Sequence, residues 1–475
     1  MTEQDKPTAP AESAPQPPAA PKPPWEEKPV TPVPHDAREH PEVREIAAAV
    51  PDAVLEAVEF AGQVTVTAAP ERLAELARAC KALGYGFLVD LTAVDWQARP
   101  EGRFDVVYWV HRHADSHRLR LRVRVAEGVE VPSEITPVAP YELVESIRAS
   151  IVVLGPLLAR YGHAKVSMPG GDDFGARPID MHLRALEELG AAFVSAHGYI
   201  EGSCERLVGT KVVLEYPSHT ATDNILMAAV LAKGTTVIEN AAREPEVIDL
   251  CEMLGSMGAR IEGAGTSHVE IEGVDELAPA SHRAISDRVE AATFLAAVGL
   301  AGGEVQLDHA RPDHMDMLIR KLRAVGVTCV PNSRGILASS DARLSSVDVS
   351  TLPYPGVATD YKPALVTLLS VADGVAIVSE NIFAGRFRYI EELRRMGARI
   401  SIEGHHAVVR GVRRLSGAQV KAPDIRAGAA LVLAGLVADG ETEVGGVEHI
   451  DRGYEDFAGR LRALGADLSR VAEDQ

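Results

Sequence analysis

A repeat of about 68 residues constrains this chain more than any other feature of its sequence. Each copy places an apolar residue, a glycine and a small residue after a helix of charged and apolar residues. The five copies are Leu189-Gly-Ala191, Met257-Gly-Ala259, Val325-Gly-Val327, Met396-Gly-Ala398 and Leu464-Gly-Ala466. The interval is long enough for a complete βαβ-type unit, so we expect an α/β fold assembled from such units.

Each unit is expected to begin with a helix of small residues. A strand bounded by glycine, a charged helix and a pair of strands follow it. The opening helices are predicted at Ile147–Leu158, Thr222–Leu231, Val289–Leu300, Asp360–Val371 and Asp424–Val437. They are apolar on nearly all sides, which is typical of buried helices. The sequence therefore predicts an inside-out arrangement, with helices within and sheets outside.

The first part of the chain has a different character. Residues 1–40 are rich in proline and alanine and offer little to bury, so we expect a disordered tail there. Residues 41–133 have a small α+β pattern. Its elements are predicted at Val43–Val50 and Glu71–Leu83 for helices, and at Gln63–Thr67, Phe87–Ala93, Phe104–His111 and Leu119–Val125 for strands. Arginine alternates with leucine or valine from residue 118 to 125, which predicts one basic and one apolar face.

Composition excludes several classes of function. The net charge of −20 argues against a nucleic-acid partner, because phosphate binding needs a basic surface. The four cysteines have no CxxC spacing, so neither a zinc site nor a disulfide framework is indicated. Neither a signal peptide nor a long apolar run is apparent, so we expect no membrane span and a cytoplasmic location. No motif indicates a cofactor.

Two groups of histidines have alternative interpretations. His111, His113 and His117 could suggest a metal site, but they lie at a strand end and turn without nearby cysteine. Solvated polar residues are therefore favoured there, and we expect no metal. The pair His405-His406 is typical of a tight turn between two strands.

Residues 41–133 resemble the 30 kDa peripheral-arm subunit of bacterial NADH-quinone oxidoreductase. The resemblance rests on Phe87-Leu-Val-Asp-Leu-Thr-Ala-Val-Asp-Trp96, Arg103-Phe-Asp-Val-Val-Tyr108 and Arg118-Leu-Arg-Leu-Arg-Val-Arg-Val125. It stops before that family's Glu-Arg-Glu segment. It therefore implies a fragment without redox ligands, which would dock to other subunits of the respiratory complex.

Residues from about 134 to 475 resemble the UDP-N-acetylglucosamine 1-carboxyvinyltransferases. The matching segments are Ala139-Pro-Tyr-Glu-Leu-Val144, Arg148-Ala-Ser150, Leu154-Gly-Pro-Leu157, Pro169-Gly-Gly-Asp-Asp-Phe-Gly-Ala-Arg-Pro-Ile-Asp180, Glu239-Asn-Ala-Ala-Arg-Glu-Pro245, Ser416-Gly-Ala-Gln419 and His449-Ile-Asp-Arg-Gly-Tyr454. The resemblance implies two inside-out α/β barrel domains of three units each, with substrates in the cleft between them. Residues 134–284 would form an incomplete first domain and residues 285–475 the second, with a boundary near Ala284–Ser286.

The reaction implied by this resemblance moves the enolpyruvyl group of phosphoenolpyruvate onto the 3′-hydroxyl of UDP-N-acetylglucosamine, the first committed step of peptidoglycan synthesis. It requires a base, an acid and several cations. The glycine-rich segment Pro169–Arg177 is expected to close over the cleft, although glycines alone would equally fit a surface turn. Most relatives have a cysteine general acid after its Gly-Gly pair, which fosfomycin alkylates. Here the residue is Asp172, which implies an aspartic acid donor and insensitivity to fosfomycin.

The resemblance assigns the other site residues one by one. Arg177 and Arg452 match arginines that bind phosphoenolpyruvate. Asp360 matches the carboxylate that takes the proton from the sugar hydroxyl, and Asp424 matches a further catalytic-site aspartate. Both aspartates could instead be helix N-caps, and the two interpretations are compatible.

Contacts to the nucleotide sugar are implied for a larger set of residues. These are Arg148, Arg177, Pro178, Ile179, Asp180, Met181, Ser218, Asp360, Ile382 and Arg426. At Ser218 the sequence departs from the family pattern, because His219-Thr220 replaces the usual Val-Gly. The lost glycine is expected to alter the close approach to the diphosphate.

Five of the family's six units are present. The absent first unit would carry a Gly-Ala-Lys-Asn motif whose lysine binds phosphoenolpyruvate, and residues 1–133 contain no equivalent. Two hypotheses follow. The chain is either a transferase, working or weakened, or a non-catalytic fusion or binding module associated with NADH-quinone oxidoreductase.

Overall fold

The computed structural model describes residues 34–60, 62–85, 87–95, 104–112, 117–126, 138–139, 141–144, 148–168, 179–341, 343–383 and 385–471. Contacts divide the chain into two compact units, Met1–Ile135 and Thr136–Gln475, and each is considered by itself. Within the described ranges, no helix has both the length and the apolar character needed to cross a lipid bilayer.

Among its described residues, the first unit contains two α-helices, a 3-10 helix at Pro70–Arg72 and one mixed sheet of six strands. The helices are α1 (Pro41–Ala49) and α2 (Leu73–Ala82). The strands are β1 (His35–Asp36), β2 (Val54–Phe60), β3 (Gln63–Ala68), β4 (Phe87–Asp95), β5 (Phe104–Arg112) and β6 (His117–Val125). Their order is β1-β2-β3-β6-β5-β4, with β3 and β6 parallel and the other neighbours antiparallel.

The alternation in β6 places its residues on two faces, as predicted. Leu119, Leu121 and Val123 are fully buried in the core that the sheet shares with α1 and α2. The arginines lie on the other face, where Arg122 donates to Glu56 Oε2 at 3.0 Å. The period of two in the sequence was therefore sufficient to predict both faces.

The expected extent of the disordered tail, residues 1–40, was wrong at its C-terminal end. Residues 1–33 lie outside the described residues. His35 and Asp36 form β1, which pairs with β2, and the following Ala37 is buried. Order begins before Pro41 because these residues add backbone hydrogen bonds to the edge of a strand, β2, that the sequence analysis did not predict.

His117 is partly exposed, as expected of a solvated polar residue, and it also has polar partners within the fold. Its Nδ1 lies 2.9 Å from the Tyr85 hydroxyl and 3.0 Å from a carboxylate oxygen of Glu42. His113 lies outside the described residues. The turn predicted at His405-His406 is confirmed, because Gly404 and His405 connect two paired strands.

The second unit contains twelve α-helices and nineteen strands within its described residues. The helices are α3 (Tyr141–Val144), α4 (Leu154–Tyr161), α5 (Asp180–Glu188), α6 (His219–Ala229), α7 (Pro245–Ser256), α8 (Arg288–Ala301), α9 (Asp316–Val325), α10 (Lys362–Ser370), α11 (Tyr389–Arg395), α12 (Ile425–Leu436), α13 (Val447–Asp451) and α14 (Phe457–Ala463). Short 3-10 helices cover Arg148–Val153, Pro312–His314 and Thr359–Tyr361.

The strands form small sheets that follow the repeat. They are β7 (Val138–Ala139), β8 (His163–Ser167), β9 (Ala192–Ala196), β10 (Tyr199–Ser203), β11 (Lys211–Val213), β12 (Thr235–Glu239), β13 (Arg260–Glu262), β14 (His268–Glu272), β15 (Gly303–Asp308), β16 (Thr328–Asn332), β17 (Gly335–Ser340), β18 (Val349–Ser350), β19 (Val375–Ser379), β20 (Arg399–Glu403), β21 (His406–Arg410), β22 (Leu415–Ser416), β23 (Gln419–Lys421), β24 (Ala438–Asp439) and β25 (Glu443–Gly445). The sheet orders are β7-β8-β10-β9, β11-β12-β14-β13, β15-β17-β16, β18-β19-β21-β20, β22-β24 and β23-β25.

The predicted order of helix, strand, helix and strand pair is confirmed, with the closing pair absent from the described part of the fifth repeat. The small-residue helices are α4, α6, α8, α10 and α12, and the charged helices are α5, α7, α9, α11 and α14. All nine residues of α10 are buried, and α10 packs against both α8 and α12. Helices therefore occupy the interior and sheets lie outside them, because a helix that is apolar on all sides must be covered on all sides.

The buried residues of this unit fall into two hydrophobic clusters. One extends from Ile151 to Ile271 and the other from Ala291 to Leu461. The boundary near Ala284–Ser286 stays a prediction, although it falls between the two clusters.

Candidate active site

Several candidate site residues lie at the starts of the central helices. Ser218 caps α6 and Asp424 caps α12, each accepting backbone N–H groups with its side chain. Asp287 caps α8 in the same way. Asp360 lies in the 3-10 turn that leads into α10. The repeat therefore brings polar side chains to equivalent positions at four helix N-termini, where the backbone favours negative charge.

Asp360 is held by a buried arginine. Its Oδ1 accepts a hydrogen bond from Arg386 Nη2 at 2.9 Å, and the Arg386 side chain is only 3% exposed. Burial alone would raise the pKa of Asp360, but the guanidinium groups of Arg386 and Arg426 outweigh it and hold that pKa well below the usual range. Asp360 is therefore a carboxylate in a strongly cationic environment, with 41% of its side chain still exposed.

Asp424 is a buried helix cap. Its Oδ1 accepts the N–H groups of Arg426 and Ala427, both at 2.9 Å, and the residue is 3% exposed. The capping interpretation from the sequence is thus confirmed. Burial with two backbone donors makes Asp424 a positioning group for the first turn of α12, and that turn carries Arg426.

Two further arginines, Arg426 and Arg452, lie near the start of α12. The Arg426 guanidinium is 5.1 Å from the centre of the Tyr454 ring. Arg452 follows α13, which packs against α12, and its guanidinium contacts His449 Nδ1. A second and a third cation are thereby placed beside the helix start that Asp424 caps.

A buried ion pair supports the turn that holds Asp360. Lys362 Nζ lies 2.7 Å from Glu380 Oε2 and donates to the carbonyl oxygen of Arg386 at 2.6 Å. Glu380 also accepts the hydroxyl groups of Thr351 and Thr359, at 2.8 and 2.7 Å. The pair therefore joins the turn bearing Asp360 to the segment bearing Arg386.

Burial lowers the pKa of Lys362 to about 8, although Glu380 opposes that shift. Burial acts to raise the pKa of Glu380, but Lys362 and the hydrogen bonds outweigh it, so the pKa is lowered. Both groups are fully buried, and they remain charged because each compensates the other.

A second ion pair connects the two hydrophobic clusters. Arg288, at the start of α8, binds both carboxylate oxygens of Glu246 from α7, at 2.8 and 3.1 Å. Its third nitrogen donates to the Tyr361 hydroxyl at 3.1 Å. Arg288 is 7% exposed, so this bidentate contact holds a buried guanidinium next to Tyr361, the residue that follows Asp360.

The residues implied in nucleotide-sugar binding form a second group at the starts of α5 and α6. Ile179 precedes α5, Asp180 and Met181 begin it, and Ser218 caps α6. The helices are joined through buried His182, which lies 3.0 Å from Asn224 Nδ2 and 3.4 Å from Thr220 Oγ1. A buried polar network thus aligns the two helix starts.

One hydrogen bond links the segment before α7 with the segment before α10. Arg243 donates to the carbonyl of Tyr354 at 3.2 Å. Near these segments, burial, followed by the carboxylates of Glu244 and Glu380, raises the pKa of Tyr216 to about 12. That the two groups of site residues line one cleft stays a prediction.

Several predicted residues cannot be placed. Asp172, Arg177 and Pro178 lie outside the described residues, as does the side chain of Arg148. Ile382 is placed, and its backbone N–H donates to Glu380 Oε1 at 2.8 Å. Its backbone is therefore fixed by the same carboxylate that binds Lys362.

Sequence reasoning missed Arg288, Arg386, Lys362, Glu380 and Glu246. The repeat could have indicated Arg288, since it occupies the helix-start position that Asp424-Ile-Arg426 occupies two units later. A single sequence carries no signal for the burial of a charged residue, so Lys362 and Glu380 could not be identified from it.

Comparison with known proteins agrees with this geometry. The family model described as "EPSP synthase (3-phosphoshikimate 1-carboxyvinyltransferase)" matches residues 117–461. The model described as "Respiratory-chain NADH dehydrogenase, 30 Kd subunit" matches residues 66–142.

Two curated relatives cover most of the second unit. The UDP-N-acetylglucosamine 1-carboxyvinyltransferase of Myxococcus xanthus is 51% identical over 72% of this chain and 81% of its own length. UDP-N-acetylglucosamine 1-carboxyvinyltransferase 1 of Caldanaerobacter subterraneus is 48% identical over 75% of this chain and 84% of its own length.

A solved enolpyruvyl transferase from Streptomyces tendae shares the fold. It has a TM-score of 0.62 and 23% identity, and the match covers 76% of this chain and 84% of that one. Taken with the two curated relatives and the match over residues 117–461, this agreement shows that the chain belongs to the UDP-N-acetylglucosamine 1-carboxyvinyltransferase family of enolpyruvyl transferases.

Proposed function

We propose that this chain transfers the enolpyruvyl group of phosphoenolpyruvate to the 3′-hydroxyl of UDP-N-acetylglucosamine, the committing step of peptidoglycan synthesis. The observation that carries the proposal is the cationic cleft around Asp360, where Arg386 and Arg426 surround one partly exposed carboxylate. Both substrates are anionic, and guanidinium groups bind phosphate and carboxylate oxygens in pairs.

In this proposal Asp360 accepts the proton of the sugar hydroxyl as the hydroxyl oxygen bonds to C2 of phosphoenolpyruvate. A carboxylate with a strongly lowered pKa is a weak base in the empty site. The arginines that lower its pKa are also the groups that an anionic substrate would engage. A bound phosphate would offset their charge at Asp360 and raise its pKa, so substrate binding itself would activate the base.

The remaining roles follow the family pattern. Asp172 would deliver a proton to C3, and Arg177 and Arg452 would bind phosphoenolpyruvate. C3 then loses a proton and the bond between C2 and the phosphate oxygen breaks, which releases inorganic phosphate. Arg148, Ile179, Asp180, Met181, Ser218, Ile382 and Arg426 would hold the nucleotide sugar, and no cofactor is needed.

The test is phosphate release by the purified chain with both substrates. Asp360→Asn should reduce phosphate release at least about 100-fold, since a positioned proton acceptor contributes about 10²–10⁴-fold. Asp439→Asn is the matched control, because Asp439 pairs with Arg414 on the exposed surface of the same unit. Equal rates for the two variants would contradict the proposal.

Fosfomycin should leave the chain unmodified. The drug alkylates a thiolate, and Asp172 offers a carboxylate, which is a much weaker nucleophile. The four thiols are disfavoured as thiolates, since burial raises the pKa of Cys80 and Cys251 to about 12 and of Cys329 to about 11, and also raises the pKa of Cys204. Intact-mass analysis after drug exposure is the measurement. Asp172→Cys is the positive control and should gain one adduct, whereas an adduct on the unaltered chain would contradict the prediction.

We propose a second function for the first unit, which is docking to subunits of NADH-quinone oxidoreductase. The match of residues 66–142 to the 30 kDa subunit model supports this. Co-purification of the respiratory complex with the full chain, but not with residues 136–475 alone, would support it. A cytoplasmic location, as expected from the sequence, suits both functions.

A further inference from the structure

The turn that carries Asp360 is anchored on both sides of that residue. Before it, the Thr359 hydroxyl donates to Glu380 Oε2 at 2.7 Å. After it, the Tyr361 hydroxyl accepts a hydrogen bond from Arg288 Nη1 at 3.1 Å. Thr359 and Tyr361 are buried, whereas 41% of the Asp360 side chain is exposed. The two buried neighbours therefore fix the backbone from which the carboxylate projects.

The two anchors differ in the part of the molecule that they reach. The first stays within the chain segment that forms the hydrophobic cluster from Ala291 to Leu461. The second leaves that segment, because Arg288 also binds Glu246 of α7. The buried apolar residues of α7 belong to the cluster from Ile151 to Ile271. The contact at Tyr361 therefore ties the turn to a helix of the other cluster.

Arg288 is held firmly enough to transmit a position. Its Nε and Nη2 bind the two carboxylate oxygens of Glu246, at 2.8 and 3.1 Å, which is the bidentate geometry that orients a planar guanidinium. The guanidinium carbon also lies 5.8 Å from the centre of the Tyr361 ring and 5.4 Å from that of Tyr354. The direction of the N–H group that reaches the Tyr361 hydroxyl is therefore set by Glu246.

The Tyr361 hydroxyl is a neutral acceptor for this N–H group. Burial raises the pKa of Tyr361 to about 12, although Arg288 opposes that shift. The phenol therefore keeps its proton at neutral pH, and its contact with Arg288 is a charge-assisted hydrogen bond rather than a second ion pair. Hydrogen bonds depend on direction as well as distance, so the contact fixes the location of the tyrosine as well as compensating the guanidinium.

The same contacts lead toward the proposed nucleotide-sugar site. Helix α7 packs against α6, and Ser218 caps the start of α6. The contacts thus run from the start of α6 through α7 and Arg288 to Tyr361, and the next residue back along the chain is Asp360. The half of the second unit that would hold the sugar nucleotide is therefore connected to the carboxylate that would act on it.

We propose that Tyr361 is a positioning residue, which holds Asp360 in line with the sugar hydroxyl because its own hydroxyl is fixed to Glu246 through Arg288. The proposal rests on the proposed function, in which Asp360 is the proton acceptor. A displacement of about 1 Å can cost about 10²-fold in rate, since proton transfer needs the acceptor within hydrogen-bonding distance. Affinity should change less, because Tyr361 is not among the residues implied in binding.

The test measures phosphate release and binding of UDP-N-acetylglucosamine separately in the full chain. With the chain in excess over phosphoenolpyruvate and reaction times of hours, slow turnover is also measurable. Tyr361→Phe removes only the hydroxyl and should lower the rate at saturating nucleotide sugar at least about tenfold. The Kd from calorimetry should stay within about threefold of the unaltered value, because one lost contact of about 1 kcal/mol is the most that binding would feel. A residue that only stabilises the fold would not separate rate from affinity.

Tyr354→Phe is the matched control. It removes a second hydroxyl beside the same guanidinium, but that hydroxyl donates to the carbonyl of Asp313 at 3.3 Å. Its rate should equal that of the unaltered chain. Glu246→Gln breaks the bidentate contact from the other end and should slow phosphate release as Tyr361→Phe does. The double variant of Tyr361 and Glu246 should be no slower than the slower single variant, since both changes cut one connection.

Asp360→Asn separates the two ways in which the proposal can fail. If this variant releases phosphate as fast as the unaltered chain, the proposed reaction is wrong and the positioning role falls with it. If it is slow while Tyr361→Phe keeps the unaltered rate, only the positioning role is overturned. A raised Kd with an unchanged rate in Tyr361→Phe, or losses that add in the double variant with Glu246→Gln, would overturn the positioning role as well.

Discussion

Replacing Lys362 by methionine should lower the free energy of unfolding of the second unit by about 3–5 kcal/mol. The substitution removes the ion-pair partner of Glu380, and both side chains are fully buried in the native protein. It also removes the donor to the Arg386 carbonyl. Breaking one side of a buried ion pair is destabilising because the remaining charge is kept from water and loses its compensating ammonium group.

The measurement is chemical denaturation followed by two probes. The three tryptophans, Trp25, Trp96 and Trp109, all belong to the first unit, so their fluorescence should keep its midpoint. Far-UV circular dichroism, dominated by the helices of the second unit, should shift to lower denaturant concentration. A shift of both probes together would mean that the two units unfold as one.

The double variant Lys362→Met, Glu380→Gln separates charge from packing. It removes both charges and keeps similar volumes, so it should recover part of the stability that the single variant loses. A single variant within about 0.5 kcal/mol of the unaltered protein, the range of ordinary surface substitutions, would contradict the role given to the pair.

The repeat predicted most of the second unit because its signal is strong at two levels. The small-residue helices are largely apolar, and each is followed within five residues by a glycine, so their number and burial follow from the sequence. Their limits shifted by a few residues where a 3-10 turn begins the helix, as at Thr359–Tyr361. The sequence alone does not distinguish a 3-10 turn from an α-helical one, because both fit the same local pattern.

The first unit was harder to predict. Strand β2, Val54–Phe60, alternates only weakly in polarity, and β1 has just two residues. Such strands are specified by the partner beside them rather than by their own composition. Pairing between strands that are distant in sequence therefore determines β1 and β2, which local patterns could not predict.

The candidate site likewise contains residues that the sequence identified and residues that only the structure revealed. Asp360 and Asp424 were identified because they match the family's motifs, and each also lies at the start of a predicted helix. The groups that hold them, Arg386 and the Lys362–Glu380 pair, come from elsewhere in the chain and act through burial. Their importance follows from packing, since only a structure shows that these charges have left water.

Turnover by this chain should be at least about 100-fold below the ordinary enzyme range of about 1–10³ per second. The family resemblance implies a first unit whose lysine binds phosphoenolpyruvate, and residues 1–133 contain no equivalent motif. The match to the Myxococcus xanthus relative covers 81% of its length, which leaves about a fifth of that protein without a counterpart here.

The size of this loss follows from charge stabilisation. A missing donor to developing charge typically costs about 3–4 kcal/mol, and about 1.4 kcal/mol is already tenfold in rate. Nucleotide-sugar binding should survive in weakened form, because the helix starts at Asp180 and Ser218 are intact and aligned through His182. The expected pattern is therefore measurable binding with very slow chemistry.

Steady-state kinetics beside calorimetric titration with UDP-N-acetylglucosamine distinguish the outcomes. Asp360→Asn sets the background, since phosphate release that persists in this variant does not come from the site. A turnover number above about 0.01 per second for the unaltered chain, which is about 100-fold below the lower end of the ordinary range, would contradict the prediction and would show that another residue supplies the missing cation. If the chain shows no binding of UDP-N-acetylglucosamine and no turnover above background, the result would favour the non-catalytic alternative. Lys362 is not a suitable substitute for the missing cation, because Glu380 and the Arg386 carbonyl already engage its ammonium group in the core.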